Sequence, residues 1–529
     1  YGDRYRMREG AQTWQPFEYK QFRYLQLVFR HAAAPISVDR VSLLSYEYPA
    51  ERRGQFECSN EVLTKLWTAA VDTTYLQMED TIVCDACRER SSWGGDGAHG
   101  EYAVWAGFGE TALCDWHFRL LARGRMADGM LHDRYPCTEG SLGGSGGLMQ
   151  ANVYDNPGNI PQHALVLAVL LSGDYYHYFG RRALLEELYP TLVGLAGWCE
   201  RHADDTGLLY GLGNWNWVDW SPSDLQGANF QTNAFYAQML DNMARVAEDL
   251  GYERDAQRWA AGAAQVRTSL HQLHWDAERG AFVDSVVDGQ QSPIISEVAN
   301  GLALLFGIAD GDQQAQIVKV IGDPASSIGR ASPLFFYYVI EGLLHAGAHR
   351  LALTMLRERF APMMAYADPP SIWEAWQAYA LDLGVADTDF ADVLPAAFTH
   401  SGGVGPAWTL SKHVLGVAPQ VPGLARCRIA PACGDLDWAR GVLPSVHGDI
   451  AVAWKRDDGC MTLDVSLPVG VEAELLLPRD LARAYRLTLD GTERAIPASV
   501  VSLPAVSLTE DHVGAIVTGG SHRLTLTEA

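Results

Sequence analysis

The segment 84–96 brings side chains that bind or protonate sugars into one short stretch, Cys-Asp-Ala-Cys-Arg-Glu-Arg-Ser-Ser-Trp-Gly-Gly-Asp. Carboxylates bind hydroxyl groups and transfer protons, guanidinium groups orient carboxylates, and an indole stacks on the C–H face of a sugar. A surface loop with Arg–Glu ion pairs has a similar composition, so both interpretations stay open here. The candidate site residues in this segment are Asp85, Glu89, Arg90, Trp93 and Asp96.

A second acidic candidate, Glu374, lies between Trp373 and Trp376 in the sequence Asp-Pro-Pro-Ser-Ile-Trp-Glu-Ala-Trp. Desolvation beside indoles raises the pKa of a carboxyl group, and a raised pKa suits acid/base work. A glutamate at the start of a helix also complements the helix dipole, which is the structural alternative. We include all three residues in the predicted site.

Two further segments contain site candidates. The sequence Asn-Trp-Asn-Trp-Val-Asp-Trp-Ser at 214–221 holds Trp215, Asp219 and Trp220 after a pair of nearby glycines. Dense indoles in a Gly/Asn/Asp-rich stretch favour a loop that lines a pocket over core packing. His400 precedes a glycine-rich turn, and a single histidine of this kind is more often structural.

Helical periodicity covers the centre of the chain and predicts about twelve helices in six consecutive pairs. Several are apolar on more than one face, as expected of helices in an inner ring. Six antiparallel pairs that close into a ring predict an (α/α)6 barrel over 54–418, with Ser59 as the first N-cap. After that first helix, the predicted helices lie near 101–122, 160–178, 184–204, 227–250, 253–272, 294–308, 312–321, 333–346, 348–361, 372–382 and 400–415.

Both flanks of the barrel alternate between apolar and polar residues, which predicts strands. Two or three strands within 1–53 cannot form a stable sheet alone, so we expect them to be the C-terminal part of a β-sandwich that lies upstream. Short β-like runs between glycine and proline turns predict a second β-sandwich over 419–529. The predicted fold class is therefore multidomain and mainly α, with an (α/α)6 barrel flanked by β-sandwich domains and the N-terminal one truncated.

The net charge of the 529-residue chain is -24, and no Lys/Arg-rich run is present. This charge disfavours binding to nucleic acid and to anionic membranes, and no apolar run reaches the length of a membrane span. The chain starts at Tyr1 without a signal-peptide pattern, so we expect an N-terminal part to be missing and leave the compartment open.

Nine cysteines leave at least one thiol unpaired within the chain. Cys84 and Cys87 have a Cys-x-x-Cys spacing, but no second pair at finger-like spacing accompanies them, so redox or zinc chemistry is not favoured. Cys427 and Cys433 are close enough in sequence to pair in an oxidising compartment, although nothing requires it. We predict neither a metal site nor a cofactor.

Hydrolysis of a glycosidic bond with inversion needs one carboxylic acid and one carboxylate on opposite faces of the sugar, roughly 6.5–9.5 Å apart. Glu89 and Glu374 belong to the first and last helix pairs of the predicted ring. Because a closed ring brings its first and last layers together, these two residues are candidates for such a pair.

These motifs resemble those of glycoside hydrolase family 78, the inverting α-L-rhamnosidases, whose usual first motif is Asp-Cys-Pro-x-Arg-x-Glu-Arg-x-x-Trp-x-Gly-Asp. Aligned on Glu89-Arg90, Trp93 and Gly95-Asp96 fall in register. The Trp-Glu pair at 373–374 resembles the second motif. The segment from His400 to Val417 is similar to the one that closes the family's barrel, and Cys58-Ser-Asn fits the start of that barrel.

The resemblance implies that terminal α-L-rhamnose is released from glycosides or oligosaccharides, with Glu89 as general acid and Glu374 as general base. It implies that Asp85 and Asp96 bind hydroxyl groups. Here Val83 precedes the cysteine, so either Asp85 substitutes by a small shift or that hydroxyl contact is lost. A homodimer is left open. The remaining predicted sugar contacts are Arg90, Trp93, Trp215, Asp219, Trp220, Trp373, Trp376 and His400.

Two other functions stay open. A polysaccharide lyase acting on rhamnosyl-glucuronate linkages would need a Tyr or His base and a carboxylate neutraliser, for which His99, Tyr102, Arg88 and Arg90 are candidates. A carbohydrate-binding protein without catalysis is the second alternative, and the presence of both glutamates in aromatic settings disfavours it.

Overall fold

The computed structural model describes residues 2–529 except 23, 33, 87–88, 137–159, 213–216, 377–396 and 504–505. Among these residues, the helices lie between 61 and 414, and most of the strands follow them. A π-helical turn, Leu171–Tyr175, extends the fourth helix into Tyr176–Phe179. The helices are α1 Glu61–Tyr75, α2 Gly94–Gly107, α3 Ala112–Ala122, α4 Pro161–Leu170, α5 Arg182–His202, α6 Phe230–Leu250, α7 Glu253–His274, α8 Glu297–Leu305, α9 Gly311–Gly322, α10 Pro333–His345, α11 His349–Tyr366 and α12 Pro406–Thr409.

The helices form two concentric rings. Helices α2, α4, α6, α8 and α10 contact one another in turn, and the segment 402–414, which contains α12, closes the ring against α2. Helices α1, α7, α9 and α11 pack outside α2, α6, α8 and α10, respectively. Every residue of α2 is buried, whereas α7 buries one face at Ala256, Trp259, Ala263, Val266 and Leu270. This is the burial expected of inner and outer rings.

Two of the predicted helix boundaries are wrong. In both cases the cause is a backbone conformation or contact that the sequence pattern does not reveal. The helix predicted over 101–122 is two helices, because Gly109 adopts a left-handed φ of 60° and ends α2. The N-cap of α1 is Asn60 rather than Ser59: the Asn60 side chain accepts the Leu63 N–H at 3.1 Å. The Ser59 hydroxyl instead accepts the Asp437 N–H at 3.0 Å.

The helix predicted over 372–382 is absent from its described part, residues 372–376. The Ile372 N–H donates to the Thr73 hydroxyl at 3.0 Å, and the Glu374 N–H donates to the Ala397 carbonyl at 2.9 Å. These backbone groups are therefore bonded to distant segments and cannot form a helical ladder. The rest of that prediction lies outside the described residues.

A buried cluster of charges joins α10 to the closing segment. The Glu341 carboxylate accepts from the Thr409 hydroxyl at 2.7 Å and lies 3.0 Å from the Lys412 ammonium and 2.9 Å from the His413 ring. Burial favours the neutral acid, but the charges of Lys412 and His413 overcome it and hold the pKa of Glu341 well below its usual range. The cluster therefore binds the last turn of the ring to α10.

We expect Glu341→Gln to lower the free energy of unfolding by about 3 kcal/mol, because it leaves buried positive charge without its main partner. A depressed carboxyl pKa stabilises the native state above the unfolded value of about 4.3, and that stabilisation is lost as the pH falls. Urea titrations at pH 7 and pH 4 measure both effects. The exposed Glu358→Gln on α11 is the control. Equal stabilities of the two variants at pH 7 would refute the role of the cluster.

The C-terminal part is one large sheet. The strands are β1 Gln55–Cys58, β7 Val417–Pro419, β8 Arg426–Ile429, β9 Trp438–Ser445, β10 Gly448–Asp457, β11 Cys460–Pro478, β12 Tyr485–Leu489, β13 Thr492–Ile496, β14 Ser507–Leu508 and β15 His512–Glu528, while β2 Ala228–Asn229, β3 Trp275–Asp276, β4 Ala281–Phe282, β5 Ser285–Val287 and β6 Gln290–Gln291 lie in the helical part. The main path of the sheet runs β1-β9-β10-β11-β15-β12-β13, with β7, β8 and β14 attached beside it. The turns Val446-His447 and Asp458-Gly459 join β9 to β10 and β10 to β11.

The strands predicted within 1–53 do not form among the described residues of that segment. Strand β1 starts only at Gln55 and pairs with β9 of the C-terminal sheet. Large apolar side chains such as Tyr24, Leu44 and Tyr46 are exposed in the preceding segment. A strand needs a neighbour to complete its ladder, and the described residues provide none here.

Candidate active site

The loop between α1 and α2 holds the first predicted catalytic group. The Trp93 indole N–H donates to Glu89 Oε2 at 2.6 Å, and the Glu89 backbone N–H donates to the Asp85 carboxylate at 3.2 Å. The buried Cys84 thiol donates to Asp85 Oδ2 at 3.3 Å and lies 3.9 Å from Glu89 Oε2. These contacts fix the Glu89 carboxyl group at two points of its own loop. We refer to residues 84–86 and 89–93 as the acid loop.

The indole that holds Glu89 is itself fixed by groups that sequence reasoning did not select. The Arg134 guanidinium lies 4.3 Å from the Trp93 ring, and the His163 ring lies 5.4 Å from it. His163 also stacks on Trp217 at 4.1 Å. Arg134 belongs to no recognisable sequence motif. His163, in contrast, is a polar residue in the apolar run of α4, and this signal could have been used.

Two glycines let α2 begin directly beneath this loop. A side chain at Gly95 would collide with the Trp217 ring, at 2.4 Å, and with the His163 ring, at 2.9 Å. The Gly95 N–H instead donates to His163 Nδ1 at 2.8 Å, so Nδ1 carries no proton and the ring is neutral. Burial lowers the pKa of His163 to about 3, which agrees with that assignment. The glycines thus place Asp96 in the first turn of α2.

Asp96 forms a pair with His400 at the bottom of the pocket. Asp96 Oδ1 lies 3.4 Å from His400 Nε2, and the Gly402 N–H donates to His400 Nδ1 at 3.1 Å. With Nδ1 as acceptor, the ring proton lies on Nε2 and faces the carboxyl group. The Ser401 N–H donates to the Cys84 carbonyl at 2.7 Å, which joins this loop to the acid loop. The two motifs far apart in sequence are therefore neighbours.

The second predicted catalytic group, Glu374, is held by donors from two other segments. The Trp220 indole N–H donates to Glu374 Oε1 at 3.1 Å, and the Ala397 N–H donates to Oε2 at 2.8 Å. N–H donors of this kind stabilise an ionised carboxylate. Trp220 is 38% exposed, so the indole lies at the rim while Glu374 is buried.

Electrostatic interactions connect these groups. Burial, together with the charges of Asp219, Glu89 and Glu374, raises the pKa of Asp96 to about 8 against the opposing effect of His400. Burial likewise raises the pKa of Asp219 to about 6, with Glu374 adding to the effect. Asp96 thus lies within electrostatic reach of both predicted catalytic glutamates.

Two family models match the chain. Residues 51–393 match the bacterial alpha-L-rhamnosidase 6 hairpin glycosidase domain, and residues 416–486 match the bacterial alpha-L-rhamnosidase C-terminal domain. The first match alone covers more than half of the chain. The chain belongs to this bacterial α-L-rhamnosidase family. The resemblance to glycoside hydrolase family 78 is thereby confirmed, as is the predicted mainly α six-hairpin barrel followed by a C-terminal β domain.

Individual relatives agree with the family. An alpha-L-rhamnosidase of Alteromonas sp. (strain LOR) is 22% identical over 327 residues, which are 59% of this chain and 34% of the relative. The crystal structure of a family 78 rhamnosidase of Bacillus sp. GL1 has a TM-score of 0.72 at 26% identity, covering 82% of this chain and 43% of that one. The Streptomyces avermitilis enzyme, crystallised with L-rhamnose, has a TM-score of 0.69 at 20% identity, covering 90% and 42%. This chain spans less than half the length of these relatives.

The other predicted site residues lie around this pocket or outside it. Arg90 contacts Glu18 and Tyr19 of the N-terminal segment. Trp373 packs on Tyr366 and Phe398. The Trp376 N–H donates to the Ala331 carbonyl at 2.7 Å, and its ring packs on Phe336 and Phe360. Trp215 lies outside the described residues.

Three donor atoms in the acid loop lie close enough to share a cation. The Cys84 sulfur and one oxygen each of Asp85 and Glu89 are within 4.8 Å of one another. Within the described part of the chain, no other group of three such residues converges in this way. Acid/base hydrolysis needs no metal, and we predicted none for this chain. Nothing in the structure tests that prediction. Cys427 and Cys433 are both free and buried, so the disulfide left open for them is not formed.

The residues that a lyase would need are poorly placed. His99 is fully buried, bonds to the Tyr338 hydroxyl at 3.0 Å and packs against Tyr102 and Tyr337. Arg88 lies outside the described residues. The described surroundings of His99 and Tyr102 therefore suit core packing of the barrel more than proton abstraction from a uronate.

The raised pKa of Asp96 predicts a pH-dependent effect on stability. A folded pKa of about 8, above the unfolded value of about 3.9, means that stability is fully present below the unfolded value and is lost as the pH rises through 8. We expect Asp96→Asn to remove this loss and to gain at least about 1 kcal/mol over the wild type at pH 8.5. Thermal melts from pH 5 to 9 measure the difference.

The exposed Asp205→Asn is the matched control and is expected to follow the wild type throughout. If Asp96→Asn gains equally at pH 5 and pH 8.5, titration of this carboxyl group is not the cause.

Proposed function

We propose that this family member is a glycoside hydrolase that releases terminal α-L-rhamnose from glycosides or oligosaccharides with inversion at the anomeric carbon. Glu89 is the general acid and Glu374 is the general base. The observation that carries the proposal is that each glutamate is held by the N–H of a separate indole, while the charges of both glutamates act on the buried Asp96.

In the first half of the reaction, Glu89 protonates the leaving oxygen as the bond from that oxygen to the anomeric carbon breaks. The Trp93 N–H donates to Oε2 of Glu89 and so fixes the orientation of the acid. Fixing one oxygen sets the orientation of the other, which is how a positioned acid differs from a mobile one.

In the second half, a water oxygen attacks the anomeric carbon from the opposite face and gives a proton to Glu374. The donors Trp220 and Ala397 keep this carboxylate in one orientation. The product is then the β-anomer of the free sugar. Glu374 afterwards loses its proton to solvent, and Glu89 takes up a proton from solvent.

The sugar itself is bound by the remaining polar groups of the pocket. Asp85, Asp96 and Asp219 form hydrogen bonds with the sugar hydroxyl groups, and His400 lies against Asp96. Oxygen Oδ2 of Asp219 is buried without a hydrogen-bond partner among the described residues, which suits a hydroxyl contact. A pocket so rich in carboxyl groups favours a neutral sugar and disfavours an anionic one at this position.

The test is hydrolysis of p-nitrophenyl α-L-rhamnoside beside the matched α-L-arabinoside and β-glucuronide. Release of nitrophenolate from the rhamnoside alone is expected, and proton NMR of the first product formed should show the β-anomer before mutarotation. The α-anomer as first product would contradict inversion. Activity on the glucuronide alone would contradict the assigned sugar.

The binding partner implied by this proposal is a rhamnosylated carbohydrate, and a homodimer stays untested. Among the described residues, no helix is both long and apolar enough to cross a bilayer.

A further inference from the structure

Arg90 follows the proposed general acid directly, yet its guanidinium is engaged by the N-terminal segment. It forms an ion pair with Glu18, donates to the Tyr19 carbonyl at 3.2 Å and lies 4.8 Å from the Tyr19 ring. Its backbone is left-handed, with a φ of 50°. That conformation is uncommon for a residue with a side chain. Ion pair, hydrogen bond and ring contact thus all join Arg90 to two consecutive residues.

The same N-terminal residues contact a second part of the pocket rim. The Thr399 hydroxyl donates to Gln21 Oε1 at 2.9 Å, one residue before His400. The Tyr19 hydroxyl donates to Glu79, which lies just before the acid loop. Lys20 lies 3.6 Å from Glu18 and 3.3 Å from Asp3. We refer to residues 18–21 as the strap.

We propose that the strap positions the acid loop, and that Arg90 is a positioning residue for Glu89 rather than a sugar ligand. The strap connects Arg90 on one loop with Thr399 on the other, and these loops carry Glu89 and His400, respectively. Motion of the acid loop relative to Asp96 and His400 is therefore opposed by the strap through Arg90 and by Arg134 and His163 through the Trp93 ring. This inference rests on the proposed function of Glu89.

Catalysis is sensitive to such positioning, because a small displacement of an acid from the leaving oxygen lowers the rate without changing how the sugar is bound. A sugar ligand and a positioning residue thus differ in their kinetic effects. Loss of a ligand raises KM, whereas loss of the strap lowers kcat.

The experiment is a double-mutant cycle between the two sides of the contact. One side is Arg90→Met, which keeps the apolar stem, and the other is the double variant Glu18→Gln, Tyr19→Leu. Each side alone is expected to lower kcat on the rhamnoside about tenfold, with KM within twofold of the wild type. Their combination is expected to be no worse than Arg90→Met alone, because both remove the same contact. Arg90→Lys should recover part of the loss.

A second readout does not depend on turnover. Hydrogen exchange of the backbone amides in the acid loop should speed up in the strap variant and in Arg90→Met alike. The matched control is Glu187→Gln, which breaks an Arg119–Glu187 pair of similar exposure between α3 and α5. It should leave both kinetics and exchange unchanged.

The outcomes separate the two proposals. A wild type without rhamnosidase activity defeats the proposed function, and the exchange data then decide on the strap alone. Unchanged kcat and exchange in the strap variant overturn the positioning role, as does a rise in KM without loss of kcat in Arg90→Met. If Arg90→Met fails to fold, the strap variant still tests the role, since Glu18 and Tyr19 are largely exposed.

Discussion

Glu89→Gln is expected to lower kcat on a rhamnosyl disaccharide by about 10³-fold, while the variant still binds rhamnose. Positioned proton transfer contributes about 10²–10⁴-fold to enzymatic rates, and the amide cannot supply the proton. The Trp93 N–H has an acceptor in glutamine as well, so the acid loop is expected to stay in place. Steady-state kinetics and calorimetric titration with rhamnose separate turnover from binding.

The leaving group sharpens this test. A nitrophenolate leaves readily without full protonation, so the loss on the p-nitrophenyl substrate should be smaller than the loss on the disaccharide. Glu248→Gln on the exposed face of α6 is the control and should match the wild type on both substrates. Equal losses on both substrates would argue that Glu89 does not protonate the leaving oxygen.

Glu374→Gln is expected to lower kcat by about 10³-fold on both substrates, because activation of the attacking water does not depend on the leaving group. Adding azide, a nucleophile that needs no deprotonation, is expected to restore turnover in this variant only. Liberated nitrophenolate and the mass of the glycosyl azide product measure the rescue.

Trp220→Phe provides a graded counterpart to this variant. It removes the N–H at Glu374 Oε1 but leaves the Ala397 donor, so a loss of about tenfold is expected from one missing charge-assisted hydrogen bond. Full activity of Glu374→Gln with water as nucleophile would show that another group is the base. Asp219 would then be the next candidate, because its pKa responds to the charge of Glu374.

The results for Glu89→Gln and Glu374→Gln on the two substrates have to be interpreted together. Substrate-dependent loss in the Glu89 variant and substrate-independent loss in the Glu374 variant together identify acid and base. The reverse pattern would exchange the two roles without removing the carboxyl pair from the site.

Much of this protein was determined by local sequence. Period-3.6 apolar patterns set most helices of the rings, because burial of one or several faces is a property of neighbouring residues in the chain. The alternating pattern after residue 419 predicted strands for the same reason. The neighbourhood of Glu89 and Glu374 made them candidates, and the resemblance to family 78 assigned them the roles of acid and base.

The tertiary structure alone decided which groups meet. Arg134 and His163 fix Trp93 from other segments. The sequence shows His163 in an apolar run, but it does not show that either side chain meets Trp93. Trp373 and Trp376 have the composition of a site, but the fold turns their rings into aromatic packing. The region after Ser371 has helical composition, yet long-range backbone bonds of Ile372 and Glu374 compete successfully with a helix.

The same division applies to Arg90. Its place beside Glu89 predicted a sugar contact, whereas its partners Glu18 and Tyr19 lie about seventy positions earlier in the chain. Sequence determines which side chains are available and which local backbone conformations are low in energy. Closure of the ring decides the distances between segments and the burial of the site. It thereby decides the pKa of Asp96 and the partners of both glutamates, because hydrogen-bond and electrostatic energies depend on distance, angle and exclusion of water.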